Sequence, residues 1–435
     1  MDRDPSKMDS IKHKLNESGR VELADILEKQ WETPIEEYAQ SLWSQNKDTI
    51  DLESELLQAF HQEFLRIGST EEEASESIAS LKRTRTLQTA THVTASEGPT
   101  FFATHRLALK GLPKGESYLV GAYSGVPYAN AAWSGCLNFS TEMELGEILS
   151  DHAPGFSELL KADRDRRRDT SERRISMIPG KFRDAQVFGS EILEKQETLA
   201  LHWNDVLKKL MPYSKTGESF TLWASGFCRN QADLLFPGFK VVYFDLNEVI
   251  RNYLLEVLSK SQHPLTMILL NPERRYQLLE VFGKETPLFS TNSNNGNRIK
   301  LETLSFHENQ LGGPSSSFVM DEENLMRMLK ERTLCPGLFI GFTVLVFLNG
   351  LNCLGSFEQI EYLARFKKNW SRFSFPGLIP MEQQDTKKLS CGRMISSQGK
   401  PIYPLDLILG QEPSFSEPRT LGQWMEPLFP RLGLI

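Results

Sequence analysis

The sequence predicts an α/β protein with a helical N-terminal region, and two observations indicate this class. Apolar residues recur with helical periodicity over residues 1–85. From Leu87 onward, strand-like and helical segments alternate, and the first strand, helix and strand fill roughly 35 residues, which is the spacing of a βαβ unit. We therefore divide the chain into a helical region (1–85), an α/β core (86–370) and a proline-rich tail (371–435) that packs on the core.

The N-terminal region contains three helical patterns. The first is VELADILEKQWETPIEEYAQSL at residues 21–42, which a proline interrupts, and the second covers residues 51–67. The third helix follows Thr70, because Thr70 and Glu73 have the spacing of a capping box.

The core begins with a β-branched strand pattern from Leu87, a helix that contains His105, and a strand at residues 117–123. The clearest strand pattern is KVVYFDL, residues 240–246, which precedes a helix. Further along, we predict strands, a turn-rich loop and a helix at residues 265–270 and 298–304 (strands), 292–297 (loop) and 321–331 (helix).

The longest apolar stretch is LFIGFTVLVFL, residues 338–348. We interpret it as a central strand that is buried on both faces, because a membrane-spanning helix needs about 20 residues. The first 20 residues lack the apolar region of a signal peptide. These observations predict a cytoplasmic protein that has no membrane partner.

Composition limits the function classes. The chain has 435 residues, 40% of them hydrophobic and 24% charged, which is typical of a globular protein with a sizeable core. The net charge of −8 disfavours nucleic acid as a partner. Residues 164–174 are a local exception with six arginines. We interpret this run as a solvated surface segment, or alternatively as a lid that contacts a polyanionic ligand.

The cysteines and the catalytic motifs exclude several chemistries. No C-x-x-C pair occurs, so we predict free thiols, no disulfide scaffold and no metal site; the cysteines are Cys136, Cys228, Cys335, Cys353 and Cys391. The sequence also lacks G-x-x-x-x-G-K-[ST], G-x-G-x-x-G, H-E-x-x-H and G-x-S-x-G. This excludes a P-loop nucleotidase, the ordinary dinucleotide fold, a zinc protease and an α/β-hydrolase.

Candidate site residues follow from position. Ligands of open α/β sheets bind beyond the carboxyl ends of the strands, where helix N-termini offer N–H groups to anions. The polar and small residues at the predicted ends are Thr94, Ser96, Glu97, Ser124, Tyr128, Asn130, Asp245, Gly355, Ser356 and Gln359. Each of them is also typical of an ordinary turn or helix cap, so both interpretations stay open.

Glu97 and His105 are the candidate catalytic pair. Glu97 either interacts with the dipole of the following helix or acts as a general base. His105 lies eight residues later, about two helical turns, and is either a core histidine or shares the face of Glu97. Asp245 either caps the next helix or binds a ribose hydroxyl.

Three segments of the core, in this order, distantly resemble the bacillithiol synthase family, the cysteine-adding enzymes of bacillithiol biosynthesis. Residues 92–102, HVTASEGPTFF, are similar to the family's V-T-G-[HQ]-Q turn and its aromatic sequel. Residues 231–255 are similar to an apolar helix, a strand and a helix, with Asp245 at the strand-end aspartate. Residues 334–362 are similar to the L-R-P-L segment and the G-G-P-x-E-x-x-Y helix start.

The motifs depart from the family at several positions. Glu97 stands where a glutamine is expected, Cys335 replaces the arginine and Gln359 replaces the glutamate. The acidic stretch after the family's second strand has no counterpart here. The resemblance implies a Rossmann-like, mostly parallel sheet, and it implies the family's chemistry less directly because of these departures.

We therefore predict a ligase- or transferase-like enzyme that joins an amino acid, for example cysteine, to a small polar acceptor. Glu97 is the predicted general base, and the binding candidates hold the substrate or a nucleotide such as ATP or ADP. The alternative is a non-catalytic descendant that binds a ligand or a protein. The sequence leaves open whether a nucleotide is used and whether the chain forms a homodimer.

Overall fold

The computed structural model describes residues 5–44, 51–93, 97–124, 209–210, 220–284, 286–295, 298–307, 309–373, 377–408 and 415–434. Within these residues the chain is a mixed α/β protein that contains one parallel and one antiparallel sheet. The predicted α/β class is therefore confirmed. The parallel sheet has four strands, so a mostly parallel sheet describes only one of the two sheets.

The described part of the N-terminal region is helical, as predicted, and its helices are α1 (Pro5–Glu17), α2 (Val21–Gln30), α3 (Ile35–Leu42), α4 (Ser54–Arg66) and α5 (Glu71–Thr84). Of these, α1 was not among the predicted helices. The helices α2, α3 and α4 each bury a stripe of mainly apolar residues, which explains the periodicity. The buried face of α5 consists mostly of small and hydroxyl-bearing residues. The predicted capping box is present. The Thr70 hydroxyl accepts the Glu73 N–H, and the Glu73 carboxylate accepts the Thr70 N–H.

Thr70→Ala is expected to lower the free energy of unfolding by about 1 kcal/mol, because α5 loses the side chain that caps its first turn. Chemical denaturation monitored by circular dichroism measures the change. Ser69→Ala is the matched control, since α5 is capped by Thr70 and not by Ser69. Equal effects of the two substitutions would contradict the capping role.

The remaining helices are α6 (Pro99–Gly111), α7 (Phe220–Leu235), α8 (Leu246–Val257), α9 (Pro264–Leu270), α10 (Pro272–Phe282), α11 (Glu322–Lys330), α12 (Leu338–Phe342), α13 (Phe357–Trp370), α14 (Pro404–Ile408) and α15 (Leu421–Met425). A π-helix covers Thr343–Leu348, and 3₁₀ helices cover Met381–Gln383 and Glu426–Leu432. The strands are β1 (Thr86–Gln88), β2 (Ser117–Ala122), β3 (Lys240–Asp245), β4 (Phe289–Asn295), β5 (Arg298–His307), β6 (Gln310–Gly312), β7 (Ser317–Val319), β8 (Cys335–Pro336) and β9 (Asn352–Leu354).

The parallel sheet has the strand order β3-β2-β1-β9, and every neighbouring pair is parallel. The predicted unit β1–α6–β2 is confirmed, although β1 ends at Gln88 and the chain pairs again only through an isolated bridge between His92 and Tyr123. The second sheet has the order β7-β6-β5-β4-β8 and is antiparallel.

The parallel sheet separates two hydrophobic cores. Tyr118 and Val120 of β2 face one core, and Leu119 between them faces the other. In β3, Tyr243 and Phe244 divide in the same way. Successive side chains of a strand point to opposite faces of the sheet. Because both faces are covered here, these strands are continuous apolar runs in the sequence.

Three local predictions are wrong. Residues 265–270 belong to α9 and not to a strand; Pro264 occupies the first turn and the His263 side chain accepts the Leu265 N–H. Residues 338–348 form α12 and the π-helix, and nearly all of their side chains are buried. Because such a segment is apolar on every side, its sequence shows no hydrophobic periodicity that would distinguish a helix from a strand. Residues 292–295 extend β4, so the predicted loop is largely a hairpin.

The tail packs against the N-terminal helices and one face of the parallel sheet. Leu389, Cys391, Trp424 and Leu428 belong to the same buried cluster as Tyr118 and the N-terminal helices. The residues 388–390 run beside the end of β9, where Gly355 forms a parallel bridge with Leu389. The division into three regions remains a prediction.

Candidate functional site

Asp245 and Ser124 meet where two parallel strands end. Asp245 is the last residue of β3 and pairs in register with Ala122, the last residue of β2. Ser124 lies two residues further and donates its hydroxyl to Asp245 Oδ1 at 2.6 Å. The same oxygen accepts the Asn247 N–H at 3.0 Å and so caps α8. Both side chains are fully buried. The predicted cap at Asp245 is confirmed, and the structure brings two predicted site residues together.

The pKa of the Asp245 carboxyl group lies near physiological pH. Burial raises its pKa to about 7, and the carboxylates of Glu63 and Glu248 act in the same direction, whereas Arg66 and the Ser124 hydroxyl oppose them. Its second oxygen, Oδ2, is buried and has no hydrogen-bond partner among the described residues. A carboxyl group with an unused oxygen and a pKa in this range can exchange a proton at physiological pH.

A network of charged side chains surrounds Asp245. Glu63 of α4 accepts the Asp245 N–H at 2.9 Å and pairs with Arg66 at 2.5 Å. Glu248 of α8 pairs with Arg251 at 2.7 Å and with Arg332 at 3.0 Å. Burial alone would raise the pKa of Glu248, but the guanidinium groups of Arg251, Arg66 and Arg332 outweigh it and lower this pKa to about 2. Glu248 is therefore a fixed negative charge, unlike its neighbour Asp245.

Glu97 and His105 form a second group under α6. His105 Nε2 lies 2.7 Å from Glu97 Oε1, and His105 Nδ1 lies 2.8 Å from the Tyr118 hydroxyl. An imidazole can donate from one ring nitrogen and accept at the other, so His105 links Glu97 to Tyr118. Glu97 is 5% exposed and His105 is 3% exposed. The predicted shared face is confirmed, because the two side chains are in direct contact.

Further polar atoms near these groups are buried and have no hydrogen-bond partner within the part of the chain that the structure describes. They are His92 Nδ1 and Gln231 Nε2, in addition to Asp245 Oδ2. Gln231 lies beside Glu97, whose N–H it accepts at 3.4 Å, and the His92 carbonyl lies 3.5 Å from the Tyr243 hydroxyl. Burial lowers the pKa of His92 to about 4, so the imidazole is neutral. An unpaired buried polar atom costs about 1–3 kcal/mol, and these atoms therefore favour a polar ligand at the carboxyl edge of the sheet.

The remaining predicted residues lie in a third group around β9. Ser356 accepts the Gln359 N–H at 3.3 Å and caps α13. The Gln359 side chain does not complete a capping box, because it donates to Thr89 Oγ1 at 2.9 Å and to the Cys353 carbonyl at 3.3 Å. Gly355 bonds through its backbone to Lys388 and Ser390 of the tail. In the described part of the chain, these polar groups contact protein and do not join the groups of Asp245 or Glu97.

Some predicted residues cannot be placed. Thr94, Ser96, Tyr128, Asn130 and the arginine run at 164–174 lie outside the described residues. Conversely, the sequence analysis did not identify Asn247, Glu63 or Tyr118. Asn247 has a local signal, since it is the second residue of a helix that an aspartate caps. Glu63 lies 182 residues from Asp245 along the chain and has no such signal.

Within the described ranges, no group of three or more His, Cys, Asp or Glu side chains is arranged to hold a metal ion. None of the helices described above is long and apolar enough to cross a membrane. Comparisons of the chain with protein-family models, with curated proteins and with solved structures found no match.

Proposed function

We propose that this chain is a small-molecule enzyme of the ligase or transferase class, which joins an amino acid such as cysteine to a small polar acceptor. The main support is Asp245, a buried carboxyl group at the end of a parallel strand, with a pKa of about 7 and an unused oxygen. The choice of amino acid and acceptor rests on the segments that resemble the bacillithiol synthase family. The strand order β3-β2-β1-β9 supports the Rossmann-like part of that resemblance.

In this proposal, Asp245 is the general base. The amino nitrogen of one substrate attacks the carbonyl carbon of an activated carboxyl group, the new C–N bond forms, and the leaving group departs with its electron pair. The nitrogen gives its proton to Asp245 Oδ2. Ser124 and Asn247 hold Oδ1, so the carboxylate presents its other oxygen.

Glu97 has a different role in this proposal from the one that the sequence suggests. Its Oε1 is in contact with His105, which is itself bonded to Tyr118. A carboxylate with this partner is better placed to orient a substrate ammonium group than to take up its proton. Asp245 is therefore favoured over Glu97 as the base.

Asp245→Asn is expected to lower the rate of product formation by about 10²-fold or more, because the amide cannot accept the proton. Purified protein is incubated with isotope-labelled cysteine, ATP and a protein-free metabolite extract, and new labelled small molecules are followed by mass spectrometry. The wild-type rate should rise with pH through an inflection near 7, and this inflection should be lost in the variant.

Asp9→Asn is the matched control, since Asp9 is exposed on α1 and distant in sequence from the site. Its rate and pH profile should equal those of the wild type. Full activity of folded Asp245→Asn would rule out the base role, and the absence of any labelled product with the wild type would rule out the proposed reaction.

A second candidate is a binding protein without catalysis. The observation that favours it is the group around β9, where the tail residues 388–390 and Thr89 already occupy the polar groups of Gly355 and Gln359. Native mass spectrometry of the purified protein distinguishes the two. A small molecule retained by the wild type and by Asp245→Asn, with no turnover by either, would favour the binding protein.

A further inference from the structure

A large cavity lies within the C-terminal part of the chain. Its volume is about 1300 Å³, and its walls are formed mainly by residues 393–401 and 415–431. The first wall is a turn, closed by a bridge between Ile395 and Pro401, and the second contains α15 and the 3₁₀ helix that follows it. A volume of this size accommodates a metabolite, because small-molecule sites are about 300–1,000 Å³.

Two arginines, Arg393 and Arg431, belong to the cavity wall. Neither Arg393 nor Arg431 forms an ion pair within the described residues. Arg431 donates a hydrogen bond to the Thr100 hydroxyl at 3.3 Å. Burial lowers the pKa of Arg393, and the positive charge of Arg431 acts in the same direction. A guanidinium group remains charged in proteins, so the two arginines place two positive charges in the cavity wall.

Three glutamates line the cavity, and two of them, Glu417 and Glu36, pair with cations other than Arg393 and Arg431; the third is Glu426. Glu417 pairs with Arg106, and Glu36 pairs with Lys110 at 2.9 Å. These two carboxylates thus neutralise cations of α6 instead of the arginine pair.

The start of α6 adds a further positive element. The Met394 N–H donates to the Pro99 carbonyl at 3.1 Å, so the cavity wall and the first turn of α6 are in contact there. This 13-residue helix has no acidic residue in its first turn, and its N-cap, Gly98, offers no side chain to the free N–H groups. The partial positive charge of a helix N-terminus is about half an elementary charge. The arginine pair and the helix start therefore act on the same region with the same sign.

We propose that this cavity binds a phosphate-bearing small molecule through Arg393 and Arg431. Phosphate oxygens match the planar fork of guanidinium donors, and an anion of this charge would compensate both arginines at once. Asp245 is not part of the cavity wall, and the inference does not depend on the proposed ligase or transferase activity. Inorganic phosphate, a sugar phosphate and a nucleotide share the required chemistry.

Isothermal titration of the full chain with inorganic phosphate, glucose 6-phosphate and ADP tests the proposal, with citrate as the carboxylate probe and ionic strength held constant. At least one phosphate compound should bind, and citrate should bind more weakly. Arg431→Gln should weaken the binding by about tenfold or more, because the variant loses a charged donor. Arg431→Lys keeps the charge without the fork and should weaken it by less.

Arg372→Gln is the control, since Arg372 is exposed and is not part of the cavity wall. Arg431 is exposed, so its substitution should leave the circular dichroism spectrum unchanged, and Arg393→Gln provides a second, independent loss. The proposal is overturned if no phosphate compound binds at millimolar concentration, if citrate binds as well as phosphate, or if Arg372→Gln weakens the binding as much as Arg431→Gln. Unchanged phosphate binding by Asp245→Asn would show that the two sites are independent.

Discussion

Glu248→Gln is expected to lower the free energy of unfolding by about 3–5 kcal/mol, because removing one partner of a buried ion pair leaves the other charge uncompensated. Glu248 is 3% exposed and accepts hydrogen bonds from Arg251 and Arg332. The side chain of Arg251 is itself only 9% exposed, so water cannot replace the lost carboxylate there. Urea denaturation at neutral pH measures the change.

The control for this substitution is Glu331→Gln. Glu331 also pairs with an arginine, Arg327, but both side chains are about half exposed, so their ion pair contributes little. Comparable destabilisation by the two substitutions would mean that the buried network around Asp245 does not hold α8 in place.

The second large effect is a fall in stability with rising pH that depends on Asp245. The pKa of this group is about 7 in the folded protein, against an ordinary value of 3.8 for the free side chain. Between these two pKa values the folded state keeps a proton that the unfolded chain has released. The free energy of unfolding therefore falls as pH rises through this window, by on the order of 2–4 kcal/mol in total.

Asp245→Asn lacks the titrating group and should lose this part of the pH dependence. The difference in unfolding free energy between the wild type and the variant should change by the stated amount from about pH 4 to about pH 8, measured by urea denaturation. Glu248 contributes the opposite slope, since its pKa is lowered to about 2, and its contribution disappears only in acid. A constant difference between wild type and variant across the window would contradict the raised pKa of Asp245.

The parts of the fold that the sequence predicts correctly are those with local causes. The capping box at Thr70 and the strand that ends at Asp245 need only a few neighbouring residues, and both are present in the structure. The stretch at 338–348 is different, because a segment buried on all sides gives the same apolar pattern as a helix or as a strand. The antiparallel sheet was missed as a unit, although three of its four strand pairs join consecutive strands. The polar run at residues 292–295 was interpreted as a loop, and this concealed the hairpin of β4 and β5.

In the candidate site, too, the sequence predicts what has a local cause and misses what depends on distant residues. Asp245 and Ser124 were predicted from their positions at strand ends, and Glu97 and His105 from their helical spacing. The structure shows each of these two pairs in contact. The sequence could not reveal the neighbours that set their chemistry. The carboxylate of Glu63 reaches Asp245 from a helix near the start of the chain, and only the folded structure shows this contact.

The two cores on either side of the parallel sheet have a consequence for how the chain unfolds. One core joins residues between Ile11 and Trp43 to strand residues and to residues between Leu389 and Leu434. The other joins α4 to the central strands and to the π-helix. Because these segments share the same buried contacts, none of them can detach without exposing the others. The described regions should therefore melt in a single cooperative transition, with amide protons in α2, β2 and α15 exchanging at similar rates.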